Sequence, residues 1–169
     1  MPELPEVEVS RMGISPHLVG VLNHNLPHLP FTDNYFDIVT AFSVFTHIDE
    51  FEEAWLLELR RVTRDNGILY ITFQNEATWK QVPERPGCIE QFANANKFAG
   101  NPKITRSLFD EPMPQDRIVL RMSDNPVYHC NVWMTNDYVR ENWGRFFNIV
   151  KIADRAHSSF QSVVVLQPR

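Results

Sequence analysis

Two apolar runs bracket one amphipathic stretch near the middle of this chain, and that arrangement constrains its fold more than any other feature. FDIVTAFSVF occupies 36–45 and ILYITF occupies 68–73. Near-continuous runs of valine, isoleucine and phenylalanine suit strands buried on both faces, as in a parallel sheet covered by helices. Between them Phe51, Trp55, Leu59 and Val62 recur at helical spacing and form one apolar stripe. Asp49 and Glu52 offer an Asp-x-x-Glu start, close to a capping box. Arg60, Arg61 and Arg64 crowd the far end, where cations offset the negative helix pole, and Gly67 is placed to close the helix. Strand 36–45, helix 50–63 and strand 68–73 then make a right-handed crossover unit of a parallel sheet. The fold class is α/β.

The flanks are less regular. Pro5 followed by Glu6, Val7, Glu8 and Val9 suits a helix start, limited by Gly13, Pro16 and Gly20. NHNLPHLPFTDN then reads as a loop turned by Pro27, Pro30 and Asp33-Asn34. Six of the twelve prolines lie between 75 and 126, which predicts a loop-rich insertion over 74–135. Val127–Met134 is a strand candidate, and Thr135 or Asn136 caps a short helix that runs through Trp143 and ends at Gly144. FFNIVKI and FQSVVVL, joined by a polar link with His157, Ser158 and Ser159, predict a carboxy-terminal hairpin. The sheet expected is a half sheet of about four strands.

Composition excludes several classes. Hydrophobic residues at 43% and charged residues at 22% fit one globular domain of 169 residues. No apolar run reaches the ~20 residues that span a bilayer, so no membrane partner is expected. A net charge of −5 argues against nucleic acid, whose phosphates call for surplus Lys and Arg. Cys88 and Cys130 form no Cys-x-x-Cys pair, so no metal site is expected, and reduced thiols fit a cytoplasmic protein.

LPFTDNYFDIV, SVFTHI and EEAWLLELRRVTRDNGILYITF, in that order, resemble the type 11 methyltransferase domain of class I S-adenosylmethionine-dependent methyltransferases. The matching points are Leu29-Pro30-Phe31, Phe36-Asp37, Arg61-Val62 and Asp65-Asn66-Gly67, the last in place of a Pro-Gly-Gly-like turn. The resemblance implies a partial Rossmann-like methyltransferase fold over 21–169, with S-adenosylmethionine as cofactor. It implies that Asn25 and Leu26 flank the adenine, and that Ala41, Phe42 and Ser43 pass beneath the cofactor where they leave the strand. The implied methyl acceptor is a small molecule or one that no motif identifies, with Trp79, Trp133, Tyr138 and Trp143 as candidate lining and His47 near it. The alternative roles are a turn residue for Asn25, core for Phe42 and the aromatics, and a structural hydrogen bond for His47. No catalytic residue is assigned. Asp49, Glu50, Glu52 and Glu53 read as a solvated first turn.

The resemblance also has a gap. A cofactor of this kind needs a Gly-x-Gly turn, because only glycine lets backbone approach the ligand closely. The six glycines (Gly13, Gly20, Gly67, Gly87, Gly100 and Gly144) are not so spaced. Roughly twenty-five residues before the LPF loop cannot hold three strands of ~5 residues and two helices of ~11. The amino-terminal cofactor half is therefore expected to be missing, leaving a chain weak or inactive alone. Strand 36–45 would then lie at an edge that calls for a partner chain, cover by the amino-terminal helix, or else self-association and poor solubility. MPELPEVEVSRMGISPHLVG, residues 1–20, separately resembles the amino terminus of formamidopyrimidine-DNA glycosylase. That resemblance implies Pro2 as a Schiff-base nucleophile, Glu3 as proton shuttle and Glu6 in the site. The four-cysteine zinc finger of that family has no counterpart among two cysteines.

Overall fold

The computed structural model describes residues 7–10, 18–21, 27–98, 100–122 and 130–169. Two short strands, β1 (Val7–Ser10) and β2 (Leu18–Val21), pair antiparallel. The helix expected from Pro5 is thus replaced, over its valine-bearing part, by a strand, in keeping with the β preference of branched side chains. Then come β3 (Phe36–Ala41), α1 (Glu52–Val62) and β4 (Thr63–Phe73). β3 and β4 run parallel, from Phe36 opposite Thr63 to Ala41 opposite Ile71, so the crossover expected from sequence is present. The chain ends in β7 (Phe147–His157) and β8 (Gln161–Pro168), the expected hairpin. β8 is inserted antiparallel between β4 and β7, giving the sheet order β3-β4-β8-β7. β3 occupies one edge of that sheet. β1 lies alongside it, with Cα atoms within 8 Å, while belonging to its own two-stranded sheet.

The apolar stripe of α1 supplies Trp55, Leu56, Leu59 and Val62 to the main core, against Val39, Ala41, Leu69, Ile71 and Phe73 of the sheet. Three boundaries differ from the sequence reading. The first strand stops at Ala41 rather than continuing to 45. Ser43 turns the chain at φ 55°, and Val44 and Phe45 bury themselves from a loop. Apolar residues report burial here, not extension. The helix begins at Glu52 behind Phe51 (φ 64°), and no capping box forms. Gly67 does not close the helix, because extended backbone starts at Thr63, whose hydroxyl bonds the Leu59 carbonyl at 2.6 Å. The glycine sits inside β4 because a Cβ there would meet Thr63 Cγ2 at 2.7 Å and the carbonyls of Arg64 and Asp37 at 2.9 Å.

The insertion is more ordered than its prolines suggest. It holds α2 (Glu76–Trp79), α3 (Cys88–Ala93), α4 (Arg106–Asp110) and an antiparallel ribbon of β5 (Arg117–Arg121) and β6 (Cys130–Met134). Trp79, Phe92, Phe109, Ile118, Leu120 and Trp133 form a second apolar cluster. The strand expected at Val127–Met134 starts at Cys130, with 127–129 outside the described residues. α5 (Asn136–Asn142) follows, capped by Thr135 Oγ1 on the Tyr138 N–H at 3.0 Å.

Gly67→Ala is expected to cost about 1–3 kcal/mol, since backbone carbonyls must shift to admit one methyl group. Urea unfolding at constant m-value measures it.

Candidate cofactor crevice and its cover

In an open α/β sheet the ligand crevice lies beyond the carboxyl ends of the parallel strands. Here those ends are Ala41–Ser43 after β3 and Gln74–Asn75 after β4. Ala41 is fully buried, a core residue. Phe42 stacks on His157 at 5.0 Å and lies 5.7 Å from the Tyr70 ring, half-buried on the sheet face away from α1. The Ser43 N–H donates to Thr72 Oγ1 at 2.8 Å, and its hydroxyl accepts from Gln161 Nε2 at 2.9 Å. Asn25 and Leu26 lie outside the described residues, as do Pro2, Glu3 and Glu6.

Asn75 is the polar hub of this end, and sequence reading missed it. Its side chain is fully buried, yet every polar atom of it is engaged. Nδ2 donates to Asn136 Oδ1 at 2.9 Å and to Asp154 Oδ1 at 2.7 Å. Oδ1 accepts from the Ser162 hydroxyl at 2.7 Å and caps α2 through the Ala77 and Thr78 N–H groups. One amide therefore ties β4, β7, β8, α2 and α5 together. The sequence signal was an asparagine two residues beyond an apolar strand.

The insertion is fastened across the crevice by main-chain bonds. The Val132 N–H donates to the Thr46 carbonyl and the Met134 N–H to the Gln74 carbonyl, both at 2.9 Å. The Cys130 carbonyl lies 2.7 Å from His47 Nδ1, and the Cys130 thiol donates to the His47 carbonyl at 3.1 Å. His47 is thus held structurally. Burial pushes the Cys130 thiol up to about 11, so it stays protonated at neutral pH. The four aromatics expected to share an acceptor pocket divide instead. Trp79 and Trp133 join the insertion cluster, while Trp143 and Tyr138 belong to the main core.

The acidic first turn of α1 is not solvated throughout. Arg117 of β5 donates to Glu52 Oε2 at 2.8 Å, to Asp49 Oδ1 at 3.1 Å and to the carbonyls of Ile48 and Asp49. Glu52 Oε1 also accepts from Trp143 Nε1 at 2.7 Å. Burial opposes the Arg117 charge, but Glu52 and Asp49 outweigh it and hold the guanidinium above its ordinary range. These groups line a cavity of about 260 Å³ with Tyr138 and Arg145, and none of its carboxylates lacks a partner. At the other end of α1, Glu58 accepts from the Leu29 N–H at 2.6 Å and pairs with Arg61 at 2.6 Å, tethering the LPF loop.

S-adenosylmethionine does not fit these residues as they stand. Of Gly67, Gly87, Gly100 and Gly144, the first abuts Asp37 toward the amino end of β3, while the other three have open space where a Cβ would go. None brings backbone close to a ligand at the carboxyl ends of β3 and β4, and the polar groups of Ser43 and Asn75 are already paired. Among the described residues no group of three or more His, Cys, Asp or Glu is placed to hold a metal ion, and no helix is long and apolar enough to cross a membrane.

The reversed strand between β4 and β7, beside a parallel pair crossed by a helix, defines a Rossmann-like fold of the methyltransferase kind. A family model described as a methyltransferase domain matches residues 5–71. The fold is shared with a Pyrococcus horikoshii OT3 protein at TM-score 0.52 and 14% identity, covering 88% of this chain and 58% of that one. It is shared with a SAM-dependent methyltransferase from Methanosarcina mazei at TM-score 0.50 and 13% identity, covering 86% and 65%. The chain thus spans less than two thirds of either structure. A 20-residue segment is 95% identical to formamidopyrimidine-DNA glycosylase of Vibrio parahaemolyticus and 90% identical to that of Pseudoalteromonas atlantica, 7% of each enzyme's length.

Two substitutions probe this frame. Arg117→Met strands two carboxylates and is expected to cost about 2–4 kcal/mol, below the fully buried range because the side chain is 21% exposed; thermal unfolding reads it. The hydrogen bond from Arg61 holds the Glu58 carboxyl below the usual carboxylate range, against burial. A carboxyl depressed on folding stabilises the protein above its unfolded pKa, and that contribution is lost as pH falls through the folded value. Glu58→Gln is therefore expected to lower stability at pH 7 and to flatten its decline on the acid side, measured by urea titrations between pH 7 and pH 3.

Proposed function

We propose that this chain is the acceptor-side part of an S-adenosylmethionine-dependent methyltransferase, and that by itself it binds the cofactor weakly or not at all. The observation that carries this reading is the placement of β3 at the sheet edge, with no glycine turn at the described carboxyl ends. The methyltransferase match over 5–71 and the shared fold support the family side of the reading. Phe42 and Ser43 are the floor on which a cofactor would rest, with Ala41 packed in the core beneath them, and Asn25 with Leu26 the adenine flank. The insertion faces a small-molecule acceptor across the same crevice. Two free thiols fit a cytoplasmic setting.

A second reading treats the chain as a non-enzymatic interaction fragment that pairs, with itself or with another chain, through the β3 edge. The place of β3 at the end of the four-stranded sheet favours it. The glycosylase reading rests on the 20-residue match alone, and borohydride trapping with damaged DNA is expected to give no adduct through Pro2.

Isothermal titration of the chain with S-adenosylmethionine tests the first reading, with no micromolar binding expected. A micromolar constant from a monomer in light scattering would overturn the cradle argument and the edge-pairing reading together.

A further inference from the structure

β6 lies across the carboxyl ends of β3 and β4, and the polar atoms along that seam do not balance. Three side-chain atoms there are buried with no partner: Thr46 Oγ1, Gln74 Oε1 and Trp133 Nε1. Their residues are 1%, 2% and 0% exposed. A native interior rarely leaves such groups unpaired, because each forfeits its hydrogen bonds to water.

Two of the three are neighbours. Gln74 and Trp133 are partners in an isolated parallel bridge, which puts their side chains on one face of the seam. Phe73 points the other way, toward Trp143 in the main core. Strand alternation therefore turns Gln74 to the insertion cluster, where the Trp133 ring meets Trp79 at 5.6 Å and Phe92 at 5.4 Å. An acceptor oxygen and an indole N–H, not bonded to each other, thus lie on one face of the seam at the rim of an aromatic cluster. The ribbon that closes over them is joined to this side through the Val132 and Met134 N–H bonds and the two Cys130–His47 bonds, while its own β5–β6 ladder is independent of them.

We propose that the β5–β6 ribbon is a hinged cover, and that Gln74 Oε1 and Trp133 Nε1 are the hydrogen-bonding pair of a subsite for an uncharged aromatic or apolar molecule bearing a hydroxyl or amide. A hydroxyl both donates and accepts, so one such group completes both orphans. A carboxylate offers no donor to Gln74, and a plain hydrocarbon answers neither atom. Lifting the ribbon breaks the Val132 and Met134 N–H bonds and the two Cys130–His47 bonds, and leaves its ladder intact. This inference rests on the methyltransferase reading only in taking the ligand to be the methyl acceptor.

Phenol is the probe, with toluene and benzoate as controls. In a nitrogen-15 correlation spectrum, the Trp133 indole signal is identified by its loss in Trp133→Phe, or by contacts to the Phe92 ring if that variant does not fold. Phenol is expected to shift that signal saturably, while toluene and benzoate do not. Gln74→Leu is expected to weaken phenol binding by about tenfold or more while the indole signal persists, the effect of leaving a site's polar partner out. The Val132 and Met134 amides are expected to exchange faster than those of β4 paired to β8, and to slow with phenol. An indole signal indifferent to phenol, equal binding of phenol by Gln74→Leu, or seam amides as slow as those of β4 would each overturn the proposal. Adding S-adenosylmethionine to the same sample separates the two readings, because its failure to bind leaves the phenol result standing.

Discussion

The parallel ladder between β3 and β4 is the constraint on which the remaining structure depends. A parallel pair cannot be closed by a tight turn, so the chain must cross over, and α1 is that crossover. Its stripe of Trp55, Leu56, Leu59 and Val62 covers the same sheet face that Val39, Leu69 and Ile71 present. Gly67 lets the two strands approach where a methyl group would strike the Asp37 carbonyl. Once the ladder is in register, Phe42 and Ser43 emerge beside Gln74 and Asn75, and a crevice exists. The Asn75 amide then gathers Ser162, Asp154 and Asn136 around the strand ends.

Besides the Cys130–His47 bonds, the insertion is bound to that frame by two different kinds of contact. Arg117 joins β5 to the start of α1 through two carboxylates and two carbonyls. β6 joins the strand ends by main-chain bonds to Thr46 and Gln74. The first is an ionic clamp at one corner. The second is a short run of backbone bonds lying over the place where this fold class binds ligands. The unpaired side-chain atoms of Thr46, Gln74 and Trp133 lie along this second set of contacts.

The amino-terminal region carries two resemblances that overlap. The methyltransferase-domain match begins at residue 5, inside a stretch whose 20-residue likeness is to a glycosylase. In the fold this stretch contributes β1 and β2, with β1 beside the β3 edge. In sheet order that is the side on which a cofactor-binding strand would stand. The described strands there, β1 and β2, pair antiparallel with each other.

Periodicity and burial were legible in the sequence; partners were not. The crossover, the carboxy-terminal hairpin and the buried stripe of α1 follow from local patterns, because hydrophobic spacing reports which face of an element leaves water. The same patterns misled where burial came without regular structure, as at Val44 and Phe45, and where a branched stretch at Val7–Val9 paired as a strand. Asp49 and Glu52 looked like helix-start acids because the arginine that claims them lies some sixty-five residues away. The paired orphans at Gln74 and Trp133 were likewise invisible until two distant segments met. Sequence alone determined which segments must be buried and the gap in glycine spacing. Only the tertiary structure decided which polar groups found partners, since hydrogen bonds between remote residues depend on geometry that no local pattern encodes.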